Sequence, residues 1–237
     1  MKSSDIVKYR VGRLQRGHVF TYSDLDMDVA KKDAVIKALN RMVEAGTLKK
    51  LSKGKYYKSV ITPFGELQPD QNQIVKDILE DNGYLTGLSI FNLLGLTTQV
   101  GNTIEIGKND LRQVHKRGHY KIKYIRQKNT ITKHNIPFLQ ILDSIKLIRK
   151  IPDTNLVNAS NRFISILRRL NDAEIMSILR LAEKYPASTR ALLGFYLDEA
   201  GKGKFTPGLR KSLNPISKYK NLEIASAFQK AKNWNIV

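Results

Sequence analysis

Apolar residues recur at Val35, Ala38, Leu39 and Met42. The spacing i, i+3, i+4, i+7 predicts a helix over residues 31–45 with one side turned to a core. The other side carries Asp33, Lys37, Asn40, Arg41 and Glu44, with Asp33 and Lys37 placed as an i,i+4 acid-then-base pair. Gly46 stops the helix as its C-cap. The period then becomes extended: residues 47–51 and 55–58 predict two short strands joined by Ser52, Lys53 and Gly54. Gly54 supplies the positive φ that a tight hairpin needs. Upstream, residues 5–14 predict a first helix packed through Ile6, Tyr9 and Leu14, and residues 22–25 a short second one.

Between Thr62 and Pro69 two prolines and a glycine, around Phe64, break both periods. This predicts a boundary, with residues 1–62 as one domain that folds alone and 63–237 as another. Beyond it, residues 69–82 predict a helix striped by Ile74, Ile78 and Leu79, and residues 83–96 a strand running into a short buried helix. Extended stretches at 102–106 and 120–127 complete a small sheet within about residues 83–127. Residues 135–237 read as helical, with helices at 135–149, 155–170, 171–185, 188–200 and 221–234. Asn171 followed by Glu174 has the spacing of a capping box. The predicted class is α+β and helix-rich: an N-terminal winged helix-turn-helix, then a small sheet and a helical C-terminal domain.

Charge sharpens this picture. The chain has 41 Lys and Arg against 21 Asp and Glu, a formal net charge of +20, and residues 1–63 alone hold 14 bases against 6 acids. Such an excess selects a polyanionic partner, because neutralising phosphates releases counterions. Winged helices also serve as protein–protein modules, so it is the charge that points to nucleic acid. No apolar run approaches the roughly 18–20 residues of a membrane span, and the start at Met1 and Lys2 leads into a mixed polar helix, so a cytoplasmic protein with no membrane partner is expected.

By analogy with helix-turn-helix docking, the basic helix enters the major groove and the hairpin lies on phosphate. The predicted DNA contacts are Thr21, Tyr22, Lys31, Lys32, Lys37, Asn40, Arg41, Lys49, Lys50, Lys53 and Lys55. A second basic patch, Lys202, Lys204, Arg210, Lys211, Lys218 and Lys220, surrounds a loop of glycines and a Pro207-Gly208 pair. It reads either as a solvated tail or as extra backbone contact.

Catalytic chemistry is not legible. Zero cysteines exclude disulfides, thiol catalysis and cysteine-ligated zinc. His115 and His119 have the i,i+4 spacing that suits a metal on a helix, but Lys116, Arg117 and Gly118 lie between them. His134 is placed to cap a helix. Asp198 and Glu199 are adjacent and point to different sides of a helix, unfit for paired acid–base work. A non-enzyme without cofactor or metal is expected.

Three stretches, residues 17–21, residues 34–46 and residues 51–57, resemble the N-terminal winged helix of AbiEi-type antitoxins. The similarity continues through Gly87-Leu88-Ser89 and residues 92–100, and covers the first 150 residues or so. The resemblance implies a bacterial type IV toxin–antitoxin system. It also implies repression of the protein's own operon through promoter DNA, and a C-terminal domain that counters an AbiEii-type nucleotidyltransferase toxin. The competing readings are an ordinary winged-helix transcription factor whose C-terminal domain senses a ligand or dimerises, and a nucleic-acid-processing enzyme.

Overall fold

The computed structural model describes residues 3–63, 65–110 and 112–237; Met1, Lys2 and Phe64, read above from sequence, lie outside them. The protein is α+β, and its contacts divide it into two compact units. One is Met1–Glu80 with His115–Lys121, and the other is Asp81–Val114 with Ile122–Val237.

In the first unit, α1 (Ser3–Arg13) and α2 (Lys32–Glu44) pack together. Helix α2 buries Val35, Ala38, Leu39 and Met42, the predicted stripe. Helix α1 buries Val7 and Val11, whereas Tyr9, expected in the core, is 60% exposed. Two residues along a helix is about 200° around it, so once the i,i+4 valines face inward Tyr9 must face out. Strands β1 (Val19–Phe20), β2 (Lys49–Ser52) and β3 (Lys55–Tyr57) form an antiparallel sheet in the order β1-β3-β2, with a bulge between Lys50 and Ser52. Gly54 turns the hairpin at φ 74°.

The expected boundary at 62–69 is instead a second hairpin, β4 (Val60–Thr62) and β5 (Gly65–Leu67). Its breakers sit where they do no harm to the ladder: Pro63 in the turn, Gly65 at φ 115°, and Pro69 beyond the last strand residue. The helix expected over 69–82 is two, α3 (Gln71–Ile74), capped by the Asp70 carboxylate on the Asn72 N–H, and α4 (Lys76–Glu80). They break at Val75, which is itself buried, while Leu79 is only half-buried. Both helices belong to the first unit. So does strand β8 (His115–Arg117), because Lys55 and Arg117 both close on Asp77.

The second unit joins a sheet to a helical core. Strands β6 (Tyr84–Thr86) and β7 (Thr103–Lys108) pair antiparallel, and β9 (Tyr120–Arg126), which belongs to this unit from Ile122 onward, lies beyond β7. Helix α5 (Leu88–Leu93) follows β6. Helices α6 (Ile136–Lys146), α7 (Leu156–Arg168), α8 (Asp172–Ala182) and α9 (Ala187–Glu199) build the core. The capping box forms: Asn171 accepts from the Glu174 N–H, and Glu174 accepts from the Asn171 N–H. Helix α9 is buried on all sides from Ala191 to Leu197, as a helix at the centre of a core must be. Gly194 is required there, since a Cβ would lie 2.1 Å from the Trp234 ring.

The last segment departs from expectation twice. Residues 201–211 are not a loose loop: a 3₁₀ turn, Gly203–Phe205, leads into α10 (Pro207–Lys211). The final helix is interrupted after α11 (Leu222–Ala227) by Phe228 in extended geometry, before a 3₁₀ stretch, Gln229–Trp234. At the heart of the unit Asp143 accepts hydrogen bonds from Tyr84 (2.6 Å), Tyr185 (2.7 Å) and Thr86 (3.0 Å). The Gln127 amide donates to both tyrosine hydroxyls. Burial pushes the Asp143 carboxyl above its usual range, and the three hydroxyls pull against it. Among the described residues no helix is long and apolar enough to cross a membrane.

Candidate nucleic-acid interface

With its apolar stripe buried, α2 exposes Asp33, Lys37 and Glu44 on its opposite side, with the half-buried Asn40 at that side's edge. Two of the three exposed residues are acids. Asp33 and Lys37 do not pair, and Lys37 is exposed without an ion pair among the described residues. Asn40 is half-buried, because its Oδ1 accepts a 3.1 Å hydrogen bond from the hydroxyl of Tyr56 in β3. That bond fixes the amide oxygen against the sheet. Arg41 stands to one side of the stripe, in a groove of about 580 Å³ shared with Lys8 and Gly12 of α1 and with Lys58. Lys58 is engaged: its ammonium donates to the carbonyls of Gly12 (2.9 Å) and Leu14 (2.8 Å), closing the C-terminal end of α1.

At the start of α2, Lys31 and Lys32 are exposed, and no side chain caps the helix. The Lys32 ammonium lies 4.9 Å over the ring of Tyr22. A hydrogen bond with Ser23 and the Lys32 charge hold the Tyr22 hydroxyl below its ordinary pKa. Thr21 donates through both its N–H (2.7 Å) and its hydroxyl (3.0 Å) to Asp24, so it braces the short 3₁₀ turn Ser23–Leu25.

The hairpin lysines divide. Lys50 and Lys53 are exposed and unpaired among the described residues. Lys49 pairs with Glu66 of β5 at 3.2 Å. Lys55 is only 18% exposed and sits 2.7 Å from Asp77, beside Arg117. It is therefore a structural cation. The predicted contact cations that make no ion pair among the described residues are Lys31, Lys32, Lys37, Arg41, Lys50 and Lys53.

The second patch also divides. Lys204 pairs with Asp172 (3.0 Å), and Arg210 pairs with Asp198 (3.2 Å) while lying 4.8 Å over the Trp234 ring. Lys202 and Lys211 make no ion pair among the described residues. Lys218 and Lys220 line a cavity of about 460 Å³ together with Lys146, Arg149 and Lys150. The sequence reading missed those last three, although the run Ile148-Arg149-Lys150 just past the apolar stripe of α6 was there to be noticed. His115 lies on β8 and His119 in the turn after it, so helical metal spacing does not apply to them. His134 packs edge-on against Phe138, and the N-cap of α6 is Asn135. Among the described residues no group of three or more His, Cys, Asp or Glu could hold a metal ion.

The geometry defines an α+β protein whose first unit presents a basic helix and a lysine-tipped hairpin. It belongs to the family of unknown function DUF6088, whose model matches residues 6–184. No curated protein matches the sequence. The fold is similar to that in the crystal structure of the RV2827C protein from Mycobacterium tuberculosis, with a TM-score of 0.62 over 92% of this chain and 83% of that one. Sequence identity is 13%, so the likeness is one of fold.

Proposed function

We propose that the first unit is a winged helix-turn-helix that binds promoter DNA, with α2 in the major groove and the β2–β3 hairpin as its wing. In this reading the chain is a non-enzymatic cytoplasmic protein, the antitoxin and autorepressor of a type IV toxin–antitoxin operon, opposing an AbiEii-type nucleotidyltransferase toxin. The observation that carries the DNA half is the set of carboxylate-free cations on α2 and at the hairpin tip. Exposed cations without partners gain most from phosphate. The order helix, strand, 3₁₀ turn, helix, hairpin supports it. The antitoxin half rests on the resemblance of residues 17–57 and 87–100 to AbiEi-type proteins.

The test uses the full chain, because a fragment cut near Pro63 would lose Asp77 and Arg117, the partners that hold Lys55. In mobility shifts, Lys53→Ala should weaken operator and random duplex alike and lower the salt slope by about one. Asn40→Ala should cost roughly 1–3 kcal/mol on the operator and little on random DNA. Equal losses on both DNAs for Asn40→Ala would remove α2 from the groove. The joint variant Lys50→Ala, Lys53→Ala should derepress the operon yet still rescue cells that express the adjacent toxin from an unrelated promoter. Rescue lost in step with DNA binding would leave a repressor and no antitoxin.

A second reading, a transcription factor whose C-terminal unit senses a ligand, is favoured by the acid-free cationic cavity around Arg149. A metabolic gene beside this one, in place of a nucleotidyltransferase, would support it.

A further inference from the structure

The cavity formed by the end of α6, the 3₁₀ turn Ile148–Lys150 after it, the start of α9 and residues 218–221 gathers five cations, Lys146, Arg149, Lys150, Lys218 and Lys220, and no acid. None of the five forms an ion pair among the described residues. Lys146 is felt through space by Asp143, which is buried. Among the described residues Arg149 is held by neutral partners: its Nε donates to the Asn221 side chain at 3.1 Å, and its guanidinium also donates to the Lys220 carbonyl. That pairing ties the two cationic segments together. Ile145, Ile148 and Leu192 give the cavity an apolar floor. Like charges around one concavity repel each other, with a screening length of about 8 Å at physiological ionic strength, and a compact anion of high charge relieves that repulsion.

Size and sign narrow the ligand. A volume of about 460 Å³ is that of a small-molecule site. A neighbouring cavity shares Lys146 and is lined by Arg126, Lys128 and Lys184, but Glu183 and Asp143 line it as well. On that side the acid-free surface ends at Lys146; on the other, a cavity sharing Lys218 adds only one further cation, Lys232, among apolar and uncharged residues. The charge is thus concentrated on the five cations, which suits a compact ligand better than a nucleic-acid strand needing a continuous basic track. We infer that this cavity binds a polyphosphate group, either free or as the tail of a nucleotide. All its lining residues lie in the second unit, so the inference stands independently of DNA reading by the first.

Calorimetric titration of the full chain with tripolyphosphate, ATP, orthophosphate and adenosine tests it. Tripolyphosphate and ATP should bind with affinities within about threefold of each other, orthophosphate at least about tenfold more weakly, and adenosine not at all. The variant Lys150→Ala, Lys220→Ala removes two exposed side chains without ion pairs, so the protein should still unfold at the wild-type temperature. It should bind tripolyphosphate at least about tenfold more weakly. The variant Lys150→Arg, Lys220→Arg should keep most of the affinity, and Lys50→Ala, Lys53→Ala in the first unit should change nothing. ATP held through its tripolyphosphate marks a nucleotide tail as one source of the ligand, and tripolyphosphate binding alone marks free polyphosphate. Absence of tripolyphosphate binding, or binding indifferent to the Lys150→Ala, Lys220→Ala change, overturns the proposal. So does a single-stranded oligonucleotide that binds this face while tripolyphosphate does not, since that outcome makes it a backbone track.

Discussion

Asp77→Asn tests whether charge holds Lys55 inside the first unit and so keeps it away from any ligand. Asp77 accepts from Arg117 (Nη2 to Oδ2, 2.8 Å) and pairs with Lys55 (2.7 Å). Burial alone pushes its carboxyl up, but the hydrogen bonds from Arg117 and Lys55 outweigh burial and hold it at about 2 against an ordinary 3.8. A drop of that size corresponds to about 2.4 kcal/mol at ~1.36 kcal/mol per pH unit. Because the side chain is 47% exposed, water screens the pair, and roughly 1 kcal/mol is the better figure. The Arg117 guanidinium, 9% exposed, would keep the Ile74 carbonyl and a single amide oxygen in place of two carboxylate oxygens, and the lost acceptor adds about 1 kcal/mol more. Urea unfolding at pH 7 should thus show a loss of about 2 kcal/mol. The folded pKa is depressed, so the carboxylate's contribution is complete above the unfolded value near 3.8 and vanishes as the pH falls through about 2. The gap between wild type and variant should close across that window. Lys55→Ala should lose comparable stability and leave the salt slope of DNA binding unchanged. Equal stability of Asp77→Asn and wild type, or a gap constant with pH, would refute the reasoning.

In the second unit, Asp143→Asn would turn an amide N–H₂ toward hydroxyls that already donate, since Gln127 obliges both tyrosines to donate to Asp143. It should cost about 2–4 kcal/mol in denaturant unfolding; a neutral result would mean that the network rearranges freely. Gly194→Ala drives a methyl into the ring of Trp234, the sole tryptophan. Overpacking of about 1–3 kcal/mol should exceed the helix-propensity gain of about 1 kcal/mol, and the emission of Trp234 should shift red. An unchanged spectrum with raised stability would show that the ring has room.

The strongest periodicities were legible because each is decided within a few residues. The stripe of α2, the positive φ at Gly54 and the capping box of Asn171 and Glu174 all need only neighbours in sequence. Tyr9 was misplaced because two apolar sets compete on α1, and packing against α2 chose Val7 and Val11. The hairpin of β4 and β5 was hidden because proline and glycine signal a turn without saying whether strands flank it. Among the candidate contacts, exposure of Lys50 and Lys53 could be read from a hairpin tip. The capture of Lys55 by Asp77, of Lys49 by Glu66 and of Asn40 by Tyr56 could not, for each partner lies on another element. The cavity of the second unit was invisible for the same reason, its cations coming from segments some seventy residues apart.

The return of His115–Lys121 to the first unit has a consequence for the order in which the protein comes off the ribosome. When Glu80 emerges, Asp77 still lacks Arg117, and the Leu51 carbonyl lacks the Gly118 N–H that bonds it at 2.8 Å. About forty further residues, roughly 2–8 s of bacterial elongation, must be added before the N-terminal unit can close. By then much of the β6–β7 ladder has also been made. A nascent chain stalled before residue 115 should therefore hold its first unit in an unfinished form, open to proteases, and would acquire any DNA-binding competence only after the second unit has begun to fold.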